Sequence, residues 1–326
     1  MIIHFHFHFK TTGVTRSVES VLGPLDSMEK TRVFGYGIST HKISFFKLLK
    51  ELYSKEKTIV HTHRNNETLF ALALRFFGAK FKLFTTRHAE SKPSSTTNYL
   101  MSKADQCISL SQNMAQNLPI ETKTIGHGVD TEWFHYNSKK RVPNQKKISV
   151  VGRIRKAKGQ RDVMEAIAPI LSQNPNWIIQ FIGTIDRPTY AEEIKSIASI
   201  SDVEKQIHFI SQTNKIEEYY QASSVVIIAS YTEGFSLVCL EAMASGCTTI
   251  ATEKVGIHSD VIEHGTNGFL FPKGSVSTLR EVLKKVIEQA QDLDPEKVRK
   301  TILDNWSVTS AAQKLFETYT TYRNIC

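Results

Sequence analysis

Short β-branched runs alternate with helix-like segments along nearly the whole of this 326-residue chain. Ile2–Phe9, Thr31–Phe34, Thr58–His61, Phe81–Thr85, Ile148–Val151, Trp177–Gly183 and Val225–Ala229 read as strands, and amphipathic segments separate them. Strand followed by helix, repeated, calls for parallel sheets with helices on both faces, an α/β class. The length suits two domains. A polar stretch from Asn137 to Lys147, with Pro143, reads as the linker. The expected boundaries are 1–140 and 141–306, with a terminal helix over 307–326.

The densest chemistry lies in SYTEGFSLVCLEAMASGCTTIA, from Ser230 to Ala251. It reads as a strand end, a glycine turn, a helix and a new strand. Glu233 precedes Gly234, and Glu241 falls about a turn into the helix that starts near Ser236. Gly234 allows close approach of a ligand to the backbone. The first helical N–H groups, Phe235 to Val238 and so including Ser236 and Leu237, have no partner within the helix and form an anion seat. A diphosphate seat with a carboxylate on either side suits a nucleotide-sugar. A second cationic element, Gly152-Arg153-Ile154-Arg155-Lys156-Ala157-Lys158-Gly159, follows the strand Ile148–Val151. Arg153 and Lys158 can neutralise two phosphates there. The glycine spacing is not that of a P-loop, and no Ser or Thr follows the lysine.

In the first half, Gly13 lies between a strand and a helix, another anion seat. His88 sits at the C-terminal edge of a parallel strand, where ligands bind in such sheets. Arg64, Arg87 and Lys92 occupy loops on the same edge and are candidates for holding a phosphorylated acceptor. His4, His6 and His8 alternate along the first strand, opposite Phe5, Phe7 and Phe9. With no acidic or cysteine partner nearby, no metal is assigned to them.

The Ser230–Ala251 residues resemble the nucleotide-sugar motif of the retaining glycosyltransferases of family 4, which have the GT-B fold. That motif has two glutamates around a Gly-Phe-Gly turn, then Leu-Glu-Ala-Met-Ala and a small-Gly pair. Here the residues are Glu233, Gly234, Phe235, Ser236, then Leu240 to Gly246; serine stands at position 236 where the family usually has glycine. Gly152-Arg153 with Lys158-Gly159 matches the family's Gly-Arg…Lys-Gly element. The resemblance implies two Rossmann-like domains with parallel sheets facing across a cleft, and a C-terminal helix returning to the first. It implies that Arg153 and Lys158 bind the donor diphosphate, Glu233 orients the sugar, Glu241 holds the ribose, and Ile210 and Ser211 touch the base. His88 would lie beside the transferred sugar, and Gly13 against the donor phosphate and acceptor. Thr12–Thr15, Val60–Glu67, His127–Asp130 and Gly152–Arg155 look like a bacterial subgroup that adds mannose or a related hexose to the lipopolysaccharide core. On that resemblance the donor is GDP-mannose, the acceptor a lipopolysaccharide core or other cell-surface glycan, and no metal cofactor is needed.

Charge adds a partner class. Residues 1–140 carry 19 Lys/Arg and 11 Asp/Glu, giving +8, whereas 141–326 carry 22 and 21, giving +1. A basic first half suits an anionic glycolipid at a membrane surface. The N-terminus lacks a signal-peptide pattern, no apolar run is long enough to span a bilayer, and Cys107, Cys239, Cys247 and Cys326 lack a C-x-x-C spacing. The expected location is cytoplasmic, peripheral on the inner face of the inner membrane. A nucleotide-sugar epimerase, a sugar-nucleotide sensor and a basic nucleic-acid-binding protein are the rival readings; the last would need a basic aromatic strip, which the sequence does not show.

Overall fold

The computed structural model describes residues 1–54, 57–142, 145–288 and 293–324; Pro143, Gln289 and Cys326 lie outside the described residues. The chain forms two compact units, Met1–Gly128 with Trp306–Cys326, and Val129–Asn305.

Unit 1 is built on β1 (Ile2–Phe7), β2 (Thr31–Tyr36), β3 (Thr58–Thr62), β4 (Phe81–Arg87), β5 (Gln106–Ser109) and β6 (Lys123–Thr124). They form one parallel sheet in the order β2-β1-β3-β4-β5-β6. β1 is buried on both faces, as a parallel strand between helical layers must be. One face packs Ile2, Leu25, Ile59, Phe84 and Ile108 against Ala312, Leu315 and Tyr319 of the C-terminal helix Val308–Asn324. The other packs Ile3, Phe5, Val60 and Leu83 against Leu48, Leu52 and Leu74. The C-terminal helix is further tied to unit 1 by Arg323 Nη1 on Glu29 Oε2 at 2.7 Å. β1 ends at Phe7, two residues earlier than the alternation suggests. Phe9 is 80% exposed and stacks on Tyr36, ring centroids 4.0 Å apart.

Unit 2 is built on β7 (Lys146–Val151), β8 (Trp177–Ile182), β9 (Ile207–Ile210), β10 (Val225–Ile228), β11 (Thr248–Thr252) and β12 (Phe269–Phe271). Its parallel order is β12-β11-β10-β7-β8-β9. Ile148, Val150, Phe181, Val225 and Ile227 meet the helices Gln160–Leu171 and Val276–Ile287 through Val163, Ile167, Leu279 and Leu283.

The division between units falls at Gly128/Val129 and Asn305/Trp306, not at 140/141 and 306/307. Composition marks the polar linker, but hydrogen bonds decide where the chain packs. Arg299 donates to Thr131 O (2.9 Å) and Phe134 O (2.8 Å), and Arg141 Nη2 donates to Gly246 O (2.7 Å). Residues 129–142 are thereby stapled to unit 2.

Each sheet has one place where successive connections leave on opposite sides, and ligands of such sheets bind at the strand C-termini there. In unit 1 it lies between β1 and β3, and in unit 2 between β7 and β10.

Candidate functional site

In unit 2 the loops after β7 and β10 carry the two elements singled out in the sequence, and the topology brings them together. After β7 a short 3-10 turn, Lys156–Lys158, leads through Gly159 into the helix Gln160–Leu171. Gly159 has φ +66°, and a Cβ there would lie 2.2 Å from Ala229 O at the end of β10. Only glycine fits so close a backbone crossing. Tyr231 N donates to Ala157 O at 2.9 Å, closing the loops on each other. Lys158 Nζ then reaches Glu233 Oε1 at 2.5 Å, and Ser230 Oγ donates to the same oxygen at 2.7 Å. The side chains of Lys158 and Glu233 are 17% and 13% exposed. Arg153 is exposed on the same loop, its carbonyl fixed by Gln160 Nε2 at 2.9 Å.

The helix Leu237–Ala244 starts behind Glu233. Its N-cap is Ser236, with φ +84° and ψ +68°. The left-handed residue of this turn is therefore the serine, not Gly234, which is absent from the positive-φ positions. A side chain in that region costs on the order of 1–2 kcal/mol. Buried His258 offsets part of this. Its Nδ1–H donates to Thr252 O at 2.8 Å, so Nε2 carries the lone pair and accepts from Ser236 Oγ at 2.9 Å. Burial lowers the His258 pKa, which keeps the ring neutral and the arrangement intact. Ile257 N donates to Phe235 O at 3.0 Å, so the loop carrying His258 also holds the turn's backbone. Glu241 lies inside the helix, its Oε2 accepting from the buried Tyr220 hydroxyl at 2.9 Å. Burial and the Glu241 charge push the Tyr220 phenol well above its ordinary value. Ile210 ends β9, half-buried, and Ser211 is exposed beyond it.

In unit 1 the loops after β1, β3 and β4 enclose a cavity of about 570 Å³ whose lining includes Val14, Arg64, Asn66, Arg87 and His88. Gly13 opens the helix Gly13–Met28 and is exposed; a Cβ there would meet nothing within 4 Å. Thr12 caps this helix and accepts from Arg64 Nη2 at 3.2 Å, joining the first and third loops. Arg87 Nη2 donates to Ser91 O at 2.9 Å, and burial lowers its pKa. Lys92 is exposed and is not part of the lining.

Two features here were not read from the sequence. Buried Glu67 accepts from Phe7 N (2.9 Å) through one carboxylate oxygen and from His63 N (2.7 Å) through the other. It clamps the ends of β1 and β3 at the switch point. Its signal was its position three residues past Arg64, the N-cap of the helix Asn65–Phe76. The second feature is a run of imidazoles. His4 Nδ1 lies 3.1 Å from His63 Nε2, His63 Nδ1 lies 3.1 Å from His88 Nε2, and His88 stacks on His127. Burial lowers the pKa of each, His4 to about 3 and His127 to about 4, so all are neutral. His8 stands apart: it is half-buried and bonded to Lys10 O at 2.7 Å.

Burial also raises the thiols of Cys107, Cys239 and Cys247, to about 12, 12 and 11, so none is a nucleophile. Among the described residues no helix is long and apolar enough to cross a membrane.

The model for glycosyl transferases group 1 matches residues 132–302. The lipopolysaccharide core biosynthesis mannosyltransferase LpsB of Rhizobium meliloti (strain 1021) is 26% identical over 282 residues, 81% of this chain and 80% of that one. Among solved structures, the apo lipopolysaccharide outer core galactosyltransferase WaaB superposes with a TM-score of 0.78 at 16% identity, covering 99% and 100% of the two chains. Anabaena Alr3699/HepE in complex with UDP superposes with a TM-score of 0.79 at 18% identity, covering 98% and 99%. The fold is that of the GT-B glycosyltransferases, and with the family match spanning residues 132–302 the chain belongs to the glycosyl transferases of group 1.

Proposed function

We propose that this glycosyltransferase transfers a hexose, mannose from GDP-mannose, to a lipopolysaccharide-core or similar anionic glycan, with retention of anomeric configuration. The observation that carries the reading is the convergence of Lys158 and Glu233 at the β7/β10 switch point, beside the N-terminus of Leu237–Ala244. The diphosphate takes the helix N–H groups, with Arg153 and Lys158 as counter-charges. Lys158 then exchanges part of its bond to Glu233 for a phosphate oxygen, and the released carboxylate binds sugar hydroxyls. Glu241 receives the ribose, and Ile210 with Ser211 flank the base. As the glycosidic bond to phosphate breaks, negative charge grows on the leaving diphosphate, and the fixed cations and N–H groups stabilise it. No divalent ion is required at the diphosphate if these groups carry that charge. The leaving phosphate oxygen takes the proton of the attacking hydroxyl on the same face, so no side-chain nucleophile is needed.

The unit 1 cavity receives the acceptor, with Arg64 and Arg87 on its phosphates, Lys92 at the approach, Gly13 at the first loop and His88 positioning the reacting group. The acceptor's lipid places the enzyme on the cytoplasmic face of a membrane. LpsB, a core mannosyltransferase, supports mannose as the sugar.

The test is donor binding and hydrolysis across GDP-mannose, UDP-glucose, UDP-galactose and UDP-N-acetylglucosamine, with Glu233→Ala and Arg153→Ala alongside. GDP-mannose bound and slowly hydrolysed, and lost in both variants, supports the reading. Turnover of another donor corrects the sugar. NMR of the product linkage reads α from an α-donor if configuration is retained; a β product removes the retaining mechanism.

A further inference from the structure

The histidines that alternate along β1 do not form a site along their own strand. They form one across strands. His4 is the register partner of His61 on β3, so the two side chains leave the same face of the sheet side by side. His63 follows two residues later and returns to that face. The ring centroids of His4, His61 and His63 are 5.0, 5.3 and 4.5 Å apart pairwise, and one nitrogen from each lies within 4.8 Å of the others. All three residues are buried. They line a cavity of about 30 Å³, together with Thr86, His88 and His127. That is room for a small ion and one water.

We propose that His4, His61 and His63 bind a divalent transition-metal ion, zinc in the first instance, inside unit 1. Three neutral imidazoles are a donor set suited to zinc, cobalt, nickel or copper. Two nitrogens on one zinc at about 2.0–2.1 Å stand roughly 3.3 Å apart. His4 Nδ1 and His63 Nε2 already stand 3.1 Å apart. His61 closes on them by rotation within the cavity.

Two of the three imidazoles already have the outer partner that a metal-bound imidazole uses. His61 has Tyr319 Oη at 2.5 Å on Nδ1 and Thr86 Oγ1 at 2.7 Å on Nε2; coordination replaces one and keeps the other. His63 keeps Nδ1 on His88 Nε2. Glu67 accepts from His63 N at 2.7 Å and holds that residue in place. Water or hydroxide completes the ion's fourth position. A metal at this place fixes the His63 tautomer with hydrogen on Nδ1, and His88 Nε2 then accepts. The ion is thus a positioning element behind His88 rather than a ligand of the donor diphosphate, whose seat is in unit 2.

The test uses full-length protein without a polyhistidine tag, stripped with a chelator and titrated with Co²⁺ and Zn²⁺. The expected result is about one ion per chain, with the strong visible absorption of four-coordinate cobalt, displacement by zinc, and a rise in Tm on adding zinc. His4→Gln, His61→Gln and His63→Gln are each expected to weaken binding by about 100-fold or more. His208→Gln, an exposed histidine of unit 2, is expected to leave it unchanged. Should a variant not fold, X-ray absorption of the zinc-loaded wild type decides by counting imidazole ligands. Octahedral cobalt only, an unmoved Tm, fewer than three imidazoles, or equal loss in His208→Gln overturns the proposal and leaves a neutral hydrogen-bonded histidine chain.

Discussion

The two units share a parallel six-stranded architecture and a switch point, yet they furnish that point with opposite chemistry. At β7/β10 the loops meet in an ion pair, Lys158 with Glu233, and a left-handed serine. At β1/β3 they meet over buried, neutral imidazoles and a carboxylate clamped by backbone N–H groups. The first arrangement pairs its two charges with each other at the mouth of the sheet. The second holds its polar groups out of water and leaves charge to the cavity rim, at Arg64 and Arg87. The fold sets where the loops converge, and the loop residues set what they can bind.

The largest effect is expected in unit 2. Lys158→Ala and Glu233→Ala should each lower donor turnover by about 100- to 1,000-fold, the scale of losing a charge stabiliser in the transition state. Circular dichroism checks that the fold survives. If either variant keeps near wild-type kcat/KM, the ion pair is structural and the comparison fails on that side.

Acid should separate the units. His4, His61, His63, His88 and His127 all have folded-state pKa values below the unfolded value near 6.5. The unfolded chain therefore binds more protons in acid. The stability these groups provide is complete above pH ~6.5 and is lost as pH falls below it, by up to about 1.4 kcal/mol per pH unit for each histidine. Unit 2 has one such residue among its described histidines, His258. Hydrogen exchange of chelator-stripped protein between pH ~6.5 and ~5, above most carboxylate titration, should show protection falling faster in unit 1. Equal losses would remove the contrast.

Ser236 sharpens the comparison from inside unit 2. Glycine already outranks alanine at an ordinary N-cap, and a left-handed backbone widens that gap. Here Ser236→Gly should be nearly neutral, because it relieves the φ +84° strain while giving up the bond to His258. Ser236→Ala keeps the strain and leaves His258 Nε2 unpaired, at a cost of about 1–3 kcal/mol. Chemical denaturation ranks the two, and alanine above glycine would contradict the account.

The smallest effect is at the unit 1 rim. Arg64→Ala and Arg87→Ala should raise the acceptor KM by about 10-fold each, the loss of one charge-assisted hydrogen bond, with donor hydrolysis unchanged. Steady-state kinetics with acceptor varied, then omitted, reads both.

Much of this layout was legible because strand and helix periodicities are local. The strands read at Ile148–Val151 and Val225–Ala229 fall within a residue or two of β7 and β10. Ser95–Ser102 and Gln112–Gln116 were missed because they are short and polar; the signals were the capping serines, Ser94 and Ser111. Glu233, Lys158 and Arg153 were legible as residue types near glycine turns. That Lys158 would pair with Glu233 was not, since their contact depends on β7 lying beside β10. The histidine cluster was hidden for the same reason. Reading along β1 groups His4 with His6 and His8, whereas register across β1 and β3 groups His4 with His61 and His63. The backbone sign at Ser236 was not read from the sequence, although the glycine that the resembling family carries at that position was its signal.

Everything proposed for unit 2 turns on a diphosphate seated by its β7/β10 loops. Calorimetric titration of GDP, UDP, GMP and UMP into wild type and Lys158→Ala tests it most directly. The diphosphate matching the donor should bind at least ~10-fold tighter than its monophosphate, and Lys158→Ala should erase most of that difference. Equal affinity for mono- and diphosphates in the wild type, or an undiminished preference in Lys158→Ala, would contradict it.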